Sequence, residues 1–184
     1  MPSLFAPYQP DLAGSPAVVR IEPLGEQHLD RCAQLAAERE GEPPQRWRES
    51  LARVLDDPDR QCWVALVDGQ IAGYASVARL EPPACDPLTD APHGWYLAGV
   101  VVDEASRRRG VGRALTAARL AWLASRTDRA WYIASSLNLA SVDLHAGFGF
   151  RLAATGVRLP GLQVSGTALL HVADLAGRRP RTSP

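Results

Sequence analysis

Hydrophobic and polar positions alternate from Ala17 to Glu22, which predicts a short strand. From Glu26 to Glu40 the apolar residues Leu29, Cys32, Leu35 and Ala36 recur at helical intervals instead. A second helix is expected from Pro44, a proline suited to a first turn, to Leu55, with Trp47, Leu51 and Val54 on one face and Asp57-Pro58 closing it. Gln61 to Val67 and Gln70 to Leu80 read as strands around Asp68-Gly69, a dipeptide that readily supplies the positive φ angles of a tight hairpin. The proline-rich stretch from Glu81 to Pro92 has no periodicity and reads as a loop. The next strand, Gly94 to Val102, is almost uninterruptedly apolar at its end, which predicts burial on both faces. Val111 to Ser125 carries a helical stripe of Val111, Leu115, Ala118 and Trp122. Ala130 to Ala134 is a strand, Leu139 to Ala146 a short helix, and Phe148 to Ala153 begins a hairpin with Val164 to Val172. Strands alternating with helices and flanked by hairpins predict a mixed α/β fold with helices on the faces of the sheet.

Composition narrows this picture without redirecting it. A chain of 184 residues that is 46% apolar can fill one core, so a single domain is expected over residues 17–176, between flexible tails at 1–16 and 177–184. Twenty acidic groups balance twenty basic ones, which argues against nucleic acid or an anionic membrane as partner. All of the cations are arginine and none is lysine, a bias of composition more than of function. Cys32, Cys62 and Cys85 are scattered without metal-like spacing, so no disulfide framework or metal site is expected, and a reducing cytoplasm fits best. The first arginine is Arg20 and the longest apolar run is Leu97 to Val102, which predicts neither a signal peptide nor a membrane span.

The chemistry concentrates after that apolar run. Val100, Val101 and Val102 lead through Asp103 to Ser106 into Arg107-Arg108-Arg109-Gly110-Val111-Gly112-Arg113-Ala114, a buried strand entering a helix through a basic, glycine-spaced turn. Gly110 and Gly112 remove Cβ atoms that would hold an anion off the backbone, and the N–H groups of a helix's first turn point outward where the helix dipole favours negative charge. Arginine guanidinium groups add donors matched to phosphate oxygens. The spacing is wrong for a dinucleotide fingerprint, because Leu115 occupies the third glycine position, and a Walker turn lacks its lysine.

In Arg107-x-x-Gly110-x-Gly112 after a hydrophobic strand, followed by Asn138, position 145 and Gly149-Phe150, the chain resembles the GNAT superfamily of acetyltransferases. The resemblance implies a mixed, mostly antiparallel sheet of about six to seven strands whose middle strands splay apart, with helices on both faces. It implies acetyl-CoA as co-substrate. Its pyrophosphate would lie on the backbone from Arg107 through Arg108, Arg109, Gly110, Val111, Gly112 and Arg113 to Ala114. The pantetheine arm would run along Val100, Val101 and Val102, and Asn138, Ser141 and His145 would complete the cofactor contacts. It further implies transfer of acetyl to a primary amine of a small molecule by direct attack, a peptide acceptor or a non-catalytic acyl-CoA module being the alternatives. A homodimer is compatible with it.

The amine end departs from the family pattern. His145 stands where most relatives carry a tyrosine that protonates the leaving thiolate; histidine, with an ordinary pKa near 6.5, suits that exchange, or it serves only to cover a helix end. Asn138 suits a helix N-cap as well as a cofactor contact. An amine must lose its proton before attack, yet the strand Gly94 to Val102 contains no carboxylate. Glu81 and Tyr96 are the candidate catalytic residues beside His145, with His93 a further option; Trp95, Tyr96 and the segment 159–163 are candidates to border the acceptor, while Trp131-Tyr132, on the next strand, reads as one ring inward and one outward, in the core.

Overall fold

The computed structural model describes residues 5, 7–9, 14–81, 90–159 and 162–178. Seven strands form one sheet in the order β1-β2-β3-β4-β5-β7-β6. They are β1 (Arg20–Pro23), β2 (Arg60–Val67), β3 (Gln70–Leu80), β4 (Gly94–Val102), β5 (Arg129–Ser135), β6 (Arg151–Thr155) and β7 (Ala168–Asp174). The helices are α1 (Leu29–Glu40), α2 (Pro44–Leu55), α3 (Val111–Ala124) and α4 (Leu139–Ala146). Every neighbouring pair is antiparallel except β4 and β5, which run parallel.

Two cores clamp the sheet. On one face Leu115, Leu120 and Leu123 of α3 pack on Ala65, Ala75, Val77, Leu97 and Tyr132. On the other, Leu29, Cys32, Leu35 and Leu51 of α1 and α2 pack on Cys62, Val64, Leu66 and Tyr74. Alternation along β4 and β5 sends Tyr96 and Trp131 away from α3, into a third cluster with Ala91, Val157 and Leu170. Among the described residues, no helix is long and apolar enough to cross a membrane.

Most expected elements are present, and Asp68 and Gly69 have φ of 53° and 77°, as the hairpin turn requires. Several boundaries move. β1 begins at Arg20 because pairing with β2 runs only from Arg20 opposite Leu66 to Pro23 opposite Trp63. β6 starts at Arg151 because Gly149, with φ of 80°, still belongs to the turn after α4. β7 runs on to Asp174 because β5 pairs with it as far as Arg129. Residues 176–178 form a short 3-10 turn, and most of the expected tails, together with residues 82–89, lie outside the described residues.

The expectation that β4 is buried on both faces is corrected. Tyr96, Leu97 and Val101 are buried, but Gly99 is exposed and Ala98, Val100 and Val102 are half-buried. The reason is that β4 and β5 pair only at Tyr96 and Trp131 and then separate, so the apolar end of β4 borders an opening.

Candidate acetyl-coenzyme A site

The opening lies where β4 loses its neighbour. Val100 pairs with Ala75 and Leu97 with Val77, so Ala98 and Gly99 together oppose Ser76, a β-bulge just past the last β4–β5 rung. The Asp103 N–H donates to Ala72 O on the β3 side at 2.9 Å. Alternation therefore turns the peptide groups of Val102 and Val100 toward the opened side. Gly99 is exposed, and a Cβ added there would meet nothing within 4 Å.

The turn after β4 combines a left-handed glycine with an uncapped helix start. Gly110 is the N-cap of α3 in a left-handed conformation, φ 88°, and no side chain caps this helix. Its first-turn N–H groups are therefore available to an anion. A Cβ on Gly112 would make only ordinary contacts, 3.5 Å to Leu144 and 4.0 Å to Val102, so packing alone does not demand glycine there. Arg108 also has positive φ, 63°, unusual for a residue with a side chain. The arginine side chains are already engaged: Arg107 pairs with Glu104 at 3.3 Å, Arg109 with Asp68 at 3.2 Å, and Arg113 lies 5.4 Å from the Phe148 ring centroid. These guanidinium groups thus have partners of their own, whereas the first turn of α3 has no side-chain cap.

α4 closes the site from the α3 side. Asn138 caps it, its Oδ1 accepting the Ser141 N–H at 3.2 Å. His145, 3% exposed, donates from Nδ1 to Ser141 O at 2.7 Å, with Ser141 Oγ 3.3 Å away. Its Nε2 faces Nη2 of Arg119 at 3.5 Å, which leaves it as the acceptor of the neutral ring. Burial, reinforced by the Arg119 charge, pulls the imidazole down to about 4. Near neutral pH the ring is therefore uncharged, with its one N–H committed to the backbone and Nε2 unprotonated.

The remaining candidates do not converge with His145. Tyr96 is on the opposite face, its hydroxyl donating to Pro92 O at 2.6 Å, and burial pushes the phenol up to about 12. Glu81, exposed at the end of β3, pairs with Arg79 at 2.6 Å. Tyr96 pairs with Ala78 and Gly94 with Leu80, which places Tyr96 and Glu81 near the same end of the β3–β4 hairpin. His93 is exposed. Trp95 packs edge-on against Trp122 of α3 at 5.1 Å, a core position, while Trp131 joins the third cluster. Of the segment 159–163, residues 160 and 161 lie outside the described residues.

Arg39 and Arg119 carry no role in the sequence reading, and Tyr132, expected on the strand beside the cofactor, takes a core place. Arg39 of α1 donates from Nη1 to Val100 O at 2.8 Å, covering one of the groups turned toward the opening. Tyr132 stacks between His145 at 4.2 Å and His171 at 4.6 Å, and its buried hydroxyl has no hydrogen-bond partner. Arg119 lies in the buried face of α3, four residues from Leu115 and four from Leu123; that interruption of an apolar stripe was the available signal.

This fold and fork define an acyl-coenzyme A acyltransferase architecture, and the chain belongs to the acetyltransferase (GNAT) family, whose sequence profile matches residues 26–150. Acetyl-CoA is the acetyl donor of that family, and the uncapped α3 turn and the open β4 edge fit it. The chain is 34% identical over 128 residues to mycothiol acetyltransferase of Kineococcus radiotolerans; the match covers 54% of this chain and 42% of that protein, so the chain spans less than half the relative's length. Among solved structures it resembles ribosomal-protein-alanine N-acetyltransferase of Brucella melitensis, with TM-score 0.66, 21% identity, and coverage of 84% of this chain and 99% of that one. It also resembles Arabidopsis thaliana NAA60 in complex with acetyl-CoA, with TM-score 0.64, 17% identity, and coverage of 85% and 98%. At such identities these two structures speak to the fold alone.

Proposed function

We propose that the chain transfers acetyl from acetyl-CoA to a primary amine of a small molecule by direct attack. The observation that carries this reading is the joining of two features on one strand: the fork beside the Ala98-Gly99 bulge and the uncapped glycine turn that follows it. The backbone from Arg107 to Ala114 would hold the pyrophosphate, and Val100 to Val102, with Asn138 and Ser141, the pantetheine arm. Bound there, acetyl-CoA supplies an activated acyl carbon. The exposed peptide at Gly99 offers an N–H where negative charge gathers on the acyl oxygen.

The protein's part at the amine end is to remove a proton. Glu81 is the better of the two candidates, being an exposed carboxylate, while the Tyr96 phenol holds its proton and anchors Pro92. The mycothiol acetyltransferase relative favours a small-molecule acceptor over a peptide. The buried, free thiols of Cys32 and Cys62 suit a reducing cytoplasm. A second reading, an acyl-CoA-binding module without turnover, draws on the neutral His145 and the absence of a carboxylate on β4.

The test is release of free thiol from acetyl-CoA with panels of small amines and of peptides. Turnover with small amines is expected. Turnover with peptides alone would replace the acceptor class, and tight coenzyme A binding with no turnover on any amine would leave the binding module.

A further inference from the structure

Arg119 is the one residue in the α3 core that sequence logic would exclude. It is 0% exposed, and its guanidinium is divided among its own helix and three other elements. Nη1 donates to Ala98 O at 2.9 Å and to Ser76 O at 3.4 Å; Nη2 donates to Thr116 Oγ1 at 2.9 Å and faces His145 Nε2 at 3.5 Å. Its Nε has no partner.

What the cation lacks is a counter-charge. Among the described residues no carboxylate pairs with it. The ionisable groups that bear on it are Cys62 of β2, whose thiol burial pushes up to about 12, and His145 of α4, which is neutral. Burial pulls the guanidinium itself down to about 9, so it still carries its charge near neutral pH. A buried ion without a partner costs several kcal/mol, and an apolar residue at this place in α3 would avoid that cost.

The location of this charge is specific. Ala98 and Ser76 are the two sides of the bulge, and Ala98 lies two residues beyond the last β4–β5 rung, at the mouth of the fork. We propose that Arg119 is a positioning residue for acetyl transfer: it fixes the β4 bulge through Ala98 O and Ser76 O and sets a positive potential beneath the fork, where the leaving sulfur becomes anionic. His145 serves it as a neutral acceptor, oriented by Ser141 O and stacked on Tyr132. This inference rests on the acetyl-CoA reading of the fork and assigns the transfer step a residue outside both family motifs.

The probe is coenzyme A itself. Its thiol is titrated by thiolate absorbance when bound to the wild-type protein, to Arg119→Gln and to Arg119→Lys, with unliganded protein as blank. In the wild type the bound thiol should titrate about one unit below free coenzyme A, about tenfold more thiolate at a given pH. Arg119→Gln, which keeps donors and loses charge, should return it to the free value; Arg119→Lys should keep the shift. In turnover, Arg119→Gln should lower kcat about 10- to 100-fold with the KM for acetyl-CoA little changed, a split that loss of folding would not produce. A wild-type thiol that titrates like free coenzyme A, or a Gln variant that matches wild type, overturns the inference. The wild-type titration alone decides it should the Gln variant fail to fold. Failure of the wild type to bind coenzyme A would instead overturn the acetyl-CoA reading, and the inference with it.

Discussion

At the scale of single residues, His145 shows how place in the fold changes what a side chain can do. A free imidazole titrates near 6.5; buried beside Arg119 it is pulled down to about 4. Below the ordinary value the unfolded chain takes a proton that the native ring refuses, so this group's contribution to stability is complete above about pH 6.5 and is lost as pH falls toward 4. The loss should reach about 3 kcal/mol at the bottom of that window. His171, pulled down by burial as well, acts in the same direction. Urea denaturation of wild type and His145→Phe at several pH values checks this: the variant should show a clearly flatter slope between pH 6.5 and 4, and equal slopes would contradict a neutral buried His145.

At the scale of elements, the start of α3 decides whether the basic turn is an anion site. Gly110 holds φ 88° with nothing near its missing Cβ, so the position is demanded by backbone conformation and not by lack of room. Gly110→Val should cost about 1–3 kcal/mol of stability through that strain. It should also weaken coenzyme A binding about tenfold or more, because the β-branched residue would shift the first-turn N–H groups. Gly41→Val strains the comparable C-cap of α1, φ 74°, away from the turn. Calorimetric titration with coenzyme A should separate the two, with affinity falling for Gly110→Val only. The turn and α4 were legible because both rest on short-range rules: glycine where φ is positive, and asparagine where a helix begins. Arg119 was harder to read, since the apolar stripe drawn through Ala118 and Trp122 runs along the half-buried flank of α3, whereas the fully buried flank carries Thr116, Arg119, Leu120 and Leu123.

At the scale of the whole molecule, the fork divides the sheet between the β1–β4 half, clamped by α1, α2 and α3, and the β5–β7–β6 half. A single parallel rung, Tyr96 with Trp131, joins their backbones. A ligand lying along the opened edge would touch both halves and so favour the folded state by linkage. Coenzyme A at 100 times its dissociation constant should add about 2.7 kcal/mol, which for a chain of this size raises Tm by roughly 5–10 °C. Differential scanning fluorimetry across a coenzyme A series checks it; an unchanged Tm would mean that the fork does not hold the cofactor.

The sequence by itself determined the elements, the strand-turn-helix that suits a pyrophosphate and the cap of α4, because each depends on residues close together in the chain. It also placed His145, Tyr96 and Glu81 as chemistry-bearing groups without deciding their roles. Only the tertiary structure decided that Tyr96 turns away from His145 and that His145 is uncharged. Only the fold brings Arg119, Ser76 and Ala98 together beneath the fork. Those outcomes depend on which groups are desolvated together, and desolvation is set by elements far apart in the chain that no local pattern records.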